Sequence, residues 1–188
     1  MHCVRGVDRG SSLVEVLVAS TVMTLAVIAL AQLSVLSIRV NQIARLTTVT
    51  TVLASQKIEQ LQALTFAFDA SGAPVSDATT DTTVAPERST GGTGLAPSPA
   101  DALVQDTTGY CDFLDAFGRP LVHTVEGGTA PPPATVFVRR WSIDNLPTVD
   151  GLLIQVSVAP RGARAAPSTV HTRRGEARIV ALKIRKSG

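Results

Sequence analysis

Gly10-Ser11-Ser12-Leu13-Val14-Glu15-Val16-Leu17-Val18-Ala19 places one carboxylate five residues after a glycine, at the mouth of an apolar run. From Val16 to Ile38 come 23 residues without a charge, most of them Val, Leu, Ala, Ile or Met. As a helix this run is roughly 35 Å long, against about 30 Å of bilayer hydrocarbon, so it can cross a membrane with modest tilt. An acid at the start of such a segment is costly and needs either a cation or an exit to water.

Outward from that stretch the chain changes character in both directions. Residues 1–10 form a short leader with Arg5, Asp8 and Arg9 and no apolar core of its own. Beyond Arg39 the apolar residues thin to a stripe. Ile43, Leu46, Thr50, Leu53, Ala54, Leu61 and Leu64 recur at three- and four-residue steps, while Arg45, Gln56, Glu59, Gln60 and Gln62 lie largely off it. This spacing predicts an amphipathic helix with one packing face. No Gly or Pro occurs between Ser11 and Leu64, so nothing local breaks one continuous helix. The expected division is a transmembrane part over 11–38 and an amphipathic part over 39–65.

Residues 66–109 are rich in Thr, Ser, Ala, Pro, Gly and Asp and read as a polar loop with too little apolar surface to order itself. A β-sheet head is expected over 110–188. Leu121–Val125 is a short strand candidate. In Thr135–Ile143, Val136 and Val138 face one way and Phe137, Trp141 and Ile143 the other. Leu152, Ile154, Val156 and Val158 alternate with Leu153, Gln155 and Ser157, and a last strand separates Val180, Leu182 and Ile184 from Ala181, Lys183 and Arg185. Strands in direct succession favour an antiparallel sheet, whose apolar face needs a cover. The stripe of residues 43–64 is the expected cover. The fold class is therefore α+β: a long N-terminal helix packed on a small antiparallel sheet.

Composition narrows the chemistry. The formal charge of +2 is too small to imply nucleic acid. It is unevenly spread, with eight Lys or Arg in residues 161–188 against Glu176 alone. Arg173, Arg174, Lys183 and Lys186 are the candidate basic binding surface, with DNA phosphates as the ligand to consider; a solvated strand face explains the same residues. Aromatics make up 4% of the chain, too few for stacking platforms. Cys3 and Cys111 are the only cysteines, so removal of the leader leaves Cys111 without a partner. His123 and Cys111 sit on different elements with no third group, which does not make a catalytic nucleophile. His2, His123 and His171 lack ligand spacing, and no metal or other cofactor is expected. Asp106, Asp112 and Asp115 suit a solvated loop as well as a calcium loop, and they lack EF-hand spacing. Gly91-Gly92-Thr93-Gly94 lacks the Lys of a phosphate loop.

A short basic leader ending in Gly, then a small polar residue, Leu, Val and Glu, then an apolar helix resembles type IV pilins and the pseudopilins of type II secretion. Leu53-Ala54-Ser55-Gln56-Lys57-Ile58-Glu59-Gln60-Leu61 looks like the helix of minor pilins of the PilV type or pseudopilins of the GspI type, and Arg139-Arg140-Trp141 looks like a feature of their heads. The resemblance covers about a third of the chain. It implies cleavage between Gly10 and Ser11 by a prepilin peptidase, methylation of the new amino terminus at Ser11, and a role for Glu15 in subunit assembly through the amine of a neighbouring subunit. The implied partners are that peptidase, other pilin or pseudopilin subunits, an inner-membrane assembly platform, and membrane lipid before assembly. The implied location is the cytoplasmic membrane, with the amino terminus inside, and then a periplasmic or extracellular filament. No catalytic activity is implied.

Ser11 stands where the family usually has Phe or Met. The helix-loosening Pro of many major pilins and a C-terminal cysteine pair are both missing, which fits a minor subunit better than an abundant one. Three alternatives stay open at this point. Ser12-Leu13-Val14-Glu15 also matches a capping box, in which Glu15 merely closes the helix start. Arg5 and Arg9 with Ala29-Leu30-Ala31 also match an ordinary secretory signal, whose mature chain begins at Gln32. The head could also be a pilus-tip adhesin or DNA receptor delivered by a pilin-like segment.

Overall fold

The computed structural model describes residues 12–121, 131–162 and 175–186. Helix α1 runs Leu13–Ala63, 51 residues, close to the span expected from the missing Gly and Pro. It is followed by strands β1 (Phe66–Phe68), β2 (Pro74–Ser76), β3 (Cys111–Leu114), β4 (Phe137–Asn145), β5 (Gly151–Pro160) and β6 (Ala177–Ile184). The fold is α+β, with a two-stranded sheet β1-β2 and a four-stranded sheet in the order β3-β4-β5-β6, every strand pair antiparallel. An apolar N-terminal helix whose later turns pack on a small antiparallel sheet is a pilin-like architecture.

The chain divides into two compact units, Met1–Gln42 and Ile43–Gly188. In the first, α1 meets the length and composition needed to cross a membrane. Four of its hydroxyls are satisfied within the helix. The hydroxyls of Ser20, Thr21, Thr24 and Ser34 each donate to a carbonyl three or four residues back, at 2.7–3.1 Å. Such back-bonding removes the cost of an unpaired hydroxyl in an apolar medium.

In the second unit, α1 buries Thr50, Leu53, Ala54, Lys57, Ile58 and Leu61. The inner face of the sheet is fixed by its register. Leu114 and Phe137, Trp141 and Val156, and Ile143 and Ile154 are cross-strand partners, and all of them belong to one core with the helix stripe. β4 and β5 match their expected alternation, since Phe137, Trp141 and Ile143 turn inward together with Leu152, Ile154, Val156 and Val158.

One expectation for the head is corrected, and the inner face of β6, which its alternation left open, is set by its partner strand. The helix does not cover the more apolar face of β6. Ile179, Ala181 and Lys183 lie opposite Val156, Ile154 and Leu152, so they share the inner face. Val180, Leu182 and Ile184 turn outward and are exposed. The cause is the β5–β6 register: β5 has the stronger inward row, and a strand paired to it cannot choose its face independently.

Residues 66–109, expected to be too polar to order, carry the β1-β2 hairpin and supply Phe66, Leu95 and Ala102 to the core. Polar side chains hold much of this segment. Asp77 accepts from the Thr79 and Thr80 amides and the Thr80 hydroxyl, at 2.7–3.1 Å. The Gly92 and Gly94 amides donate to the Thr79 and Thr80 carbonyls, both at 2.9 Å. The strands of chain come so close that a Cβ on Gly92 would stand 2.2 Å from the Cα of Asp81. The glycine cluster is thus used for backbone approach. Of the strand candidate Leu121–Val125, residues 122–125 lie outside the described residues.

Candidate functional site

Glu15 lies in the first turn of α1, and its amide donates to the carbonyl of Ser12 at 2.8 Å. A capping box would add two side-chain bonds, from the Glu15 amide to the Ser12 hydroxyl and from the Ser12 amide to the Glu15 carboxylate. Neither is made among the described residues, where the Glu15 carboxylate has no hydrogen-bond or ion-pair partner. Its neighbours Leu13, Val14, Val16 and Leu17 are all exposed apolar side chains. Among the described residues, the first unit presents an unpartnered carboxylate on an oily helix whose side chains are exposed. Gly10 and Ser11 lie outside the described residues.

The four candidate basic residues are used differently. Arg173 and Arg174 lie outside the described residues, and Lys186 is exposed. Lys183 reaches the end of α1, where its ammonium donates to the carbonyls of Leu61, Gln62 and Leu64 at 3.2, 2.5 and 2.7 Å. The last turn of α1 contains no basic residue of its own. Lys183 supplies from β6 the positive charge that a helix C-terminus favours. Partial burial lowers its pKa, reinforced by the nearby charge of Lys186.

The three aspartates considered for calcium are separated by the fold, each with its own task. Asp106 pairs with Arg140 at 2.6 Å. Asp115 accepts from the amides of Phe117 and Arg119 at 2.8 and 2.9 Å, closing a tight turn. Asp112 is buried against Arg139, which approaches it at 2.7 Å through Nη2 and at 2.9 Å through Nε. Cys111 lies beside Asp106, and burial, with that carboxylate's help, pushes its thiol well above the ordinary range, which makes it a poor nucleophile.

Around Asp112 the head contains a charged cluster that the sequence reading missed. Lys57, on the buried stripe of α1, has no exposed surface. Its ammonium is 3.4 Å from Asp112, 3.1 Å from the Thr82 hydroxyl and 3.6 Å from the centre of the Trp141 ring. It also donates to the Thr82 carbonyl. Arg139 donates in turn to the carbonyl of Leu53 at 3.0 Å. Two cations and one carboxylate therefore join α1, the 66–109 segment, β3 and β4. Burial outweighs the attraction of Asp112 and lowers the Lys57 pKa to about 8. The signal was present in the spacing, because Lys57 follows Leu53 by four residues and precedes Leu61 by four. The anion that makes its burial tolerable comes from a distant part of the chain.

Comparison with protein-family models, with curated protein sequences and with solved structures returned no match.

Proposed function

We propose that this chain is a structural subunit, a minor type IV pilin or pseudopilin, made as a membrane-held precursor and assembled into a filament through its N-terminal helix. The observation that carries this reading is Glu15: a carboxylate without a partner among the described residues, opening a membrane-length helix whose described residues are exposed, next to a Gly-Ser junction of prepilin type. A neighbouring subunit would supply what is missing. Its apolar helix would cover this one, and its Ser11 amine, created by cleavage after Gly10, would pair with Glu15. In low dielectric an ion pair is tolerable only with good geometry, which makes it suited to setting register. The chain would then be the substrate of a prepilin peptidase and would perform no catalysis itself.

N-terminal sequencing of the mature protein is the direct test. A chain beginning at Ser11 supports the proposal; one beginning at Gln32 supports ordinary secretion and ends it. The assembly role is tested separately by Glu15→Ala, for which we expect normal membrane insertion and head folding but loss of incorporation into filaments, read by shearing and immunoblotting. Normal incorporation of that variant would remove Glu15 from assembly. A ligand-binding head is the less supported reading, since one of its four candidate cations, Lys183, is engaged at the end of α1.

A further inference from the structure

Gln32 is the one side-chain amide in the uncharged run from Val16 to Ile38. It stands five residues past the middle of that run, Val27. When the run spans a bilayer, this places Gln32 about 7–8 Å from the midplane and roughly as far again from the hydrocarbon edge. The hydroxyls of Ser20, Thr21, Thr24 and Ser34 bond to carbonyls of their own helix. The Gln32 amide does not. Among the described residues it has no hydrogen-bond partner, and the residue is exposed. Ser37 is also without one, but it lies two residues from Arg39, at the end of the run. An amide left unbonded at the depth of Gln32 is costly.

The face that carries Gln32 is regular. Val18, Thr21, Leu25, Ile28, Gln32 and Val35 follow one another at alternating steps of three and four residues, and Arg39 ends the row four residues on. This is the seam pattern of a left-handed helix pair, in which one polar position sets the register. Ile28, Gln32, Val35 and Arg39 also line a shallow groove of α1, together with Ala31 and Leu36. Thr21 adds no second polar demand, because its hydroxyl donates to the carbonyls of Leu17 and Val18.

We propose that, before filament assembly, two copies of this chain pair in the membrane as parallel helices along this row, with their Gln32 amides bonded to each other at its one unsatisfied polar position. The amide selects the occupant. It carries both donors and acceptors, so the same residue on a second copy satisfies it in both directions. A second copy inserted the same way holds its own Gln32 at the same depth, and a two-fold pair is self-complementary. Lipid tails offer no partner there. A different protein would have to place a polar group at that one level. Arg39 lies just past the run, where a long side chain turns its charge to water, so the two arginines close the row without being buried against each other. The inference rests on the membrane-held form of the proposed function, and it adds the partner and the residue that selects it.

The test uses the full chain in native membranes, carrying Cys3→Ser and Cys111→Ser and one new cysteine at a time. Oxidation should give a disulfide-linked homodimer from Leu25→Cys, Ile28→Cys and Val35→Cys, and little from Met23→Cys, Val27→Cys and Leu30→Cys on the opposite face. At equal expression, Gln32→Leu should lower the yield from Ile28→Cys about three- to tenfold, and Gln32→Asn, which keeps the amide, should retain it. Four results overturn the proposal and leave the membrane reading standing. They are a homodimer indifferent to Gln32→Leu, equal linkage on both faces, no linkage from a chain that stays in carbonate-washed membranes, and linkage to a different protein instead. Loss of the homodimer in Gln32→Asn as well would assign pairing to side-chain volume and overturn it too. A chain that carbonate strips from the membrane overturns the membrane-held form itself, and this inference with it.

Discussion

Lys57 shows how a buried charge can be held without being fully neutralised. Asp112 is committed to Arg139 by the shorter contacts, so Lys57 relies also on Thr82 and on the face of Trp141. Its ordinary pKa of 10.5 falls to about 8 in the fold. Between those values the unfolded chain holds a proton that the folded chain has released, so unfolding takes up a proton and stability rises with pH across the window. From pH 7.5 to 10 this one group should add roughly 2 kcal/mol to the unfolding free energy. Half-buried Cys111 and buried Tyr110 are shifted upward and act in the opposite sense toward high pH. The check is therefore the difference between wild type and Lys57→Met in urea denaturation at the two pH values. That difference should grow in favour of wild type as pH rises; a constant difference would show that Lys57 is not titrating. Removing the anion is harsher. Asp112→Asn leaves two cations buried together and should cost about 3–5 kcal/mol. Adding Lys57→Met to it should recover part of the loss, a coupling that a double-mutant cycle measures directly.

The end of α1 is set by a strand more than a hundred residues away in sequence, because Lys183 lies 122 positions from Leu61. Lys183→Met keeps the alkyl packing and removes the charge from the three carbonyls. We expect a loss of about 1–2 kcal/mol, with faster amide exchange confined to the last turn of α1 and the start of β1. Uniform loss across the head would contradict a local capping role. The same residue marks where the sequence stopped being legible. α1, β4 and β5 could be read because a three-to-four-residue stripe and a two-residue alternation each belong to one element. Glu15 could be read because its oddity is local. For β6 the alternation gave two faces but not which one the helix would take, because that was decided by the row Leu152, Ile154 and Val156 across the register. Ala181 keeps the inner side small, and Lys183 finds the helix end. The 66–109 segment was misread for a related reason: its order comes from aspartates and threonines bonding backbone, which leaves no hydropathy signature.

The division at Gln42 and Ile43 separates two ways of satisfying apolar surface. Every residue of Leu13–Gln42 in α1 is exposed among the described residues, and in the proposed reading lipid or other helices cover that surface. Ile43–Ala63 belongs to the head and completes its core. Leu53, Ile58 and Leu61 are buried there. At about 1.5–3 kcal/mol for each buried Leu or Ile, these three contribute roughly 5–9 kcal/mol, comparable to the whole stability of an ordinary domain. Two truncations should therefore behave very differently. Residues 43–188 are expected to be soluble without detergent, to run as a monomer by size-exclusion chromatography, and to unfold in one cooperative transition. Residues 66–188 lose the helix that covers Trp141, Ile154, Val156 and Val158, and should bind hydrophobic dye and aggregate. A cooperative 66–188 fragment would mean that the sheet seals itself and that the second half of α1 is an appendage. If residues 43–188 instead required detergent, the apolar demand would reach past Gln42 into the head, and the two parts of α1 could not be assigned separate tasks.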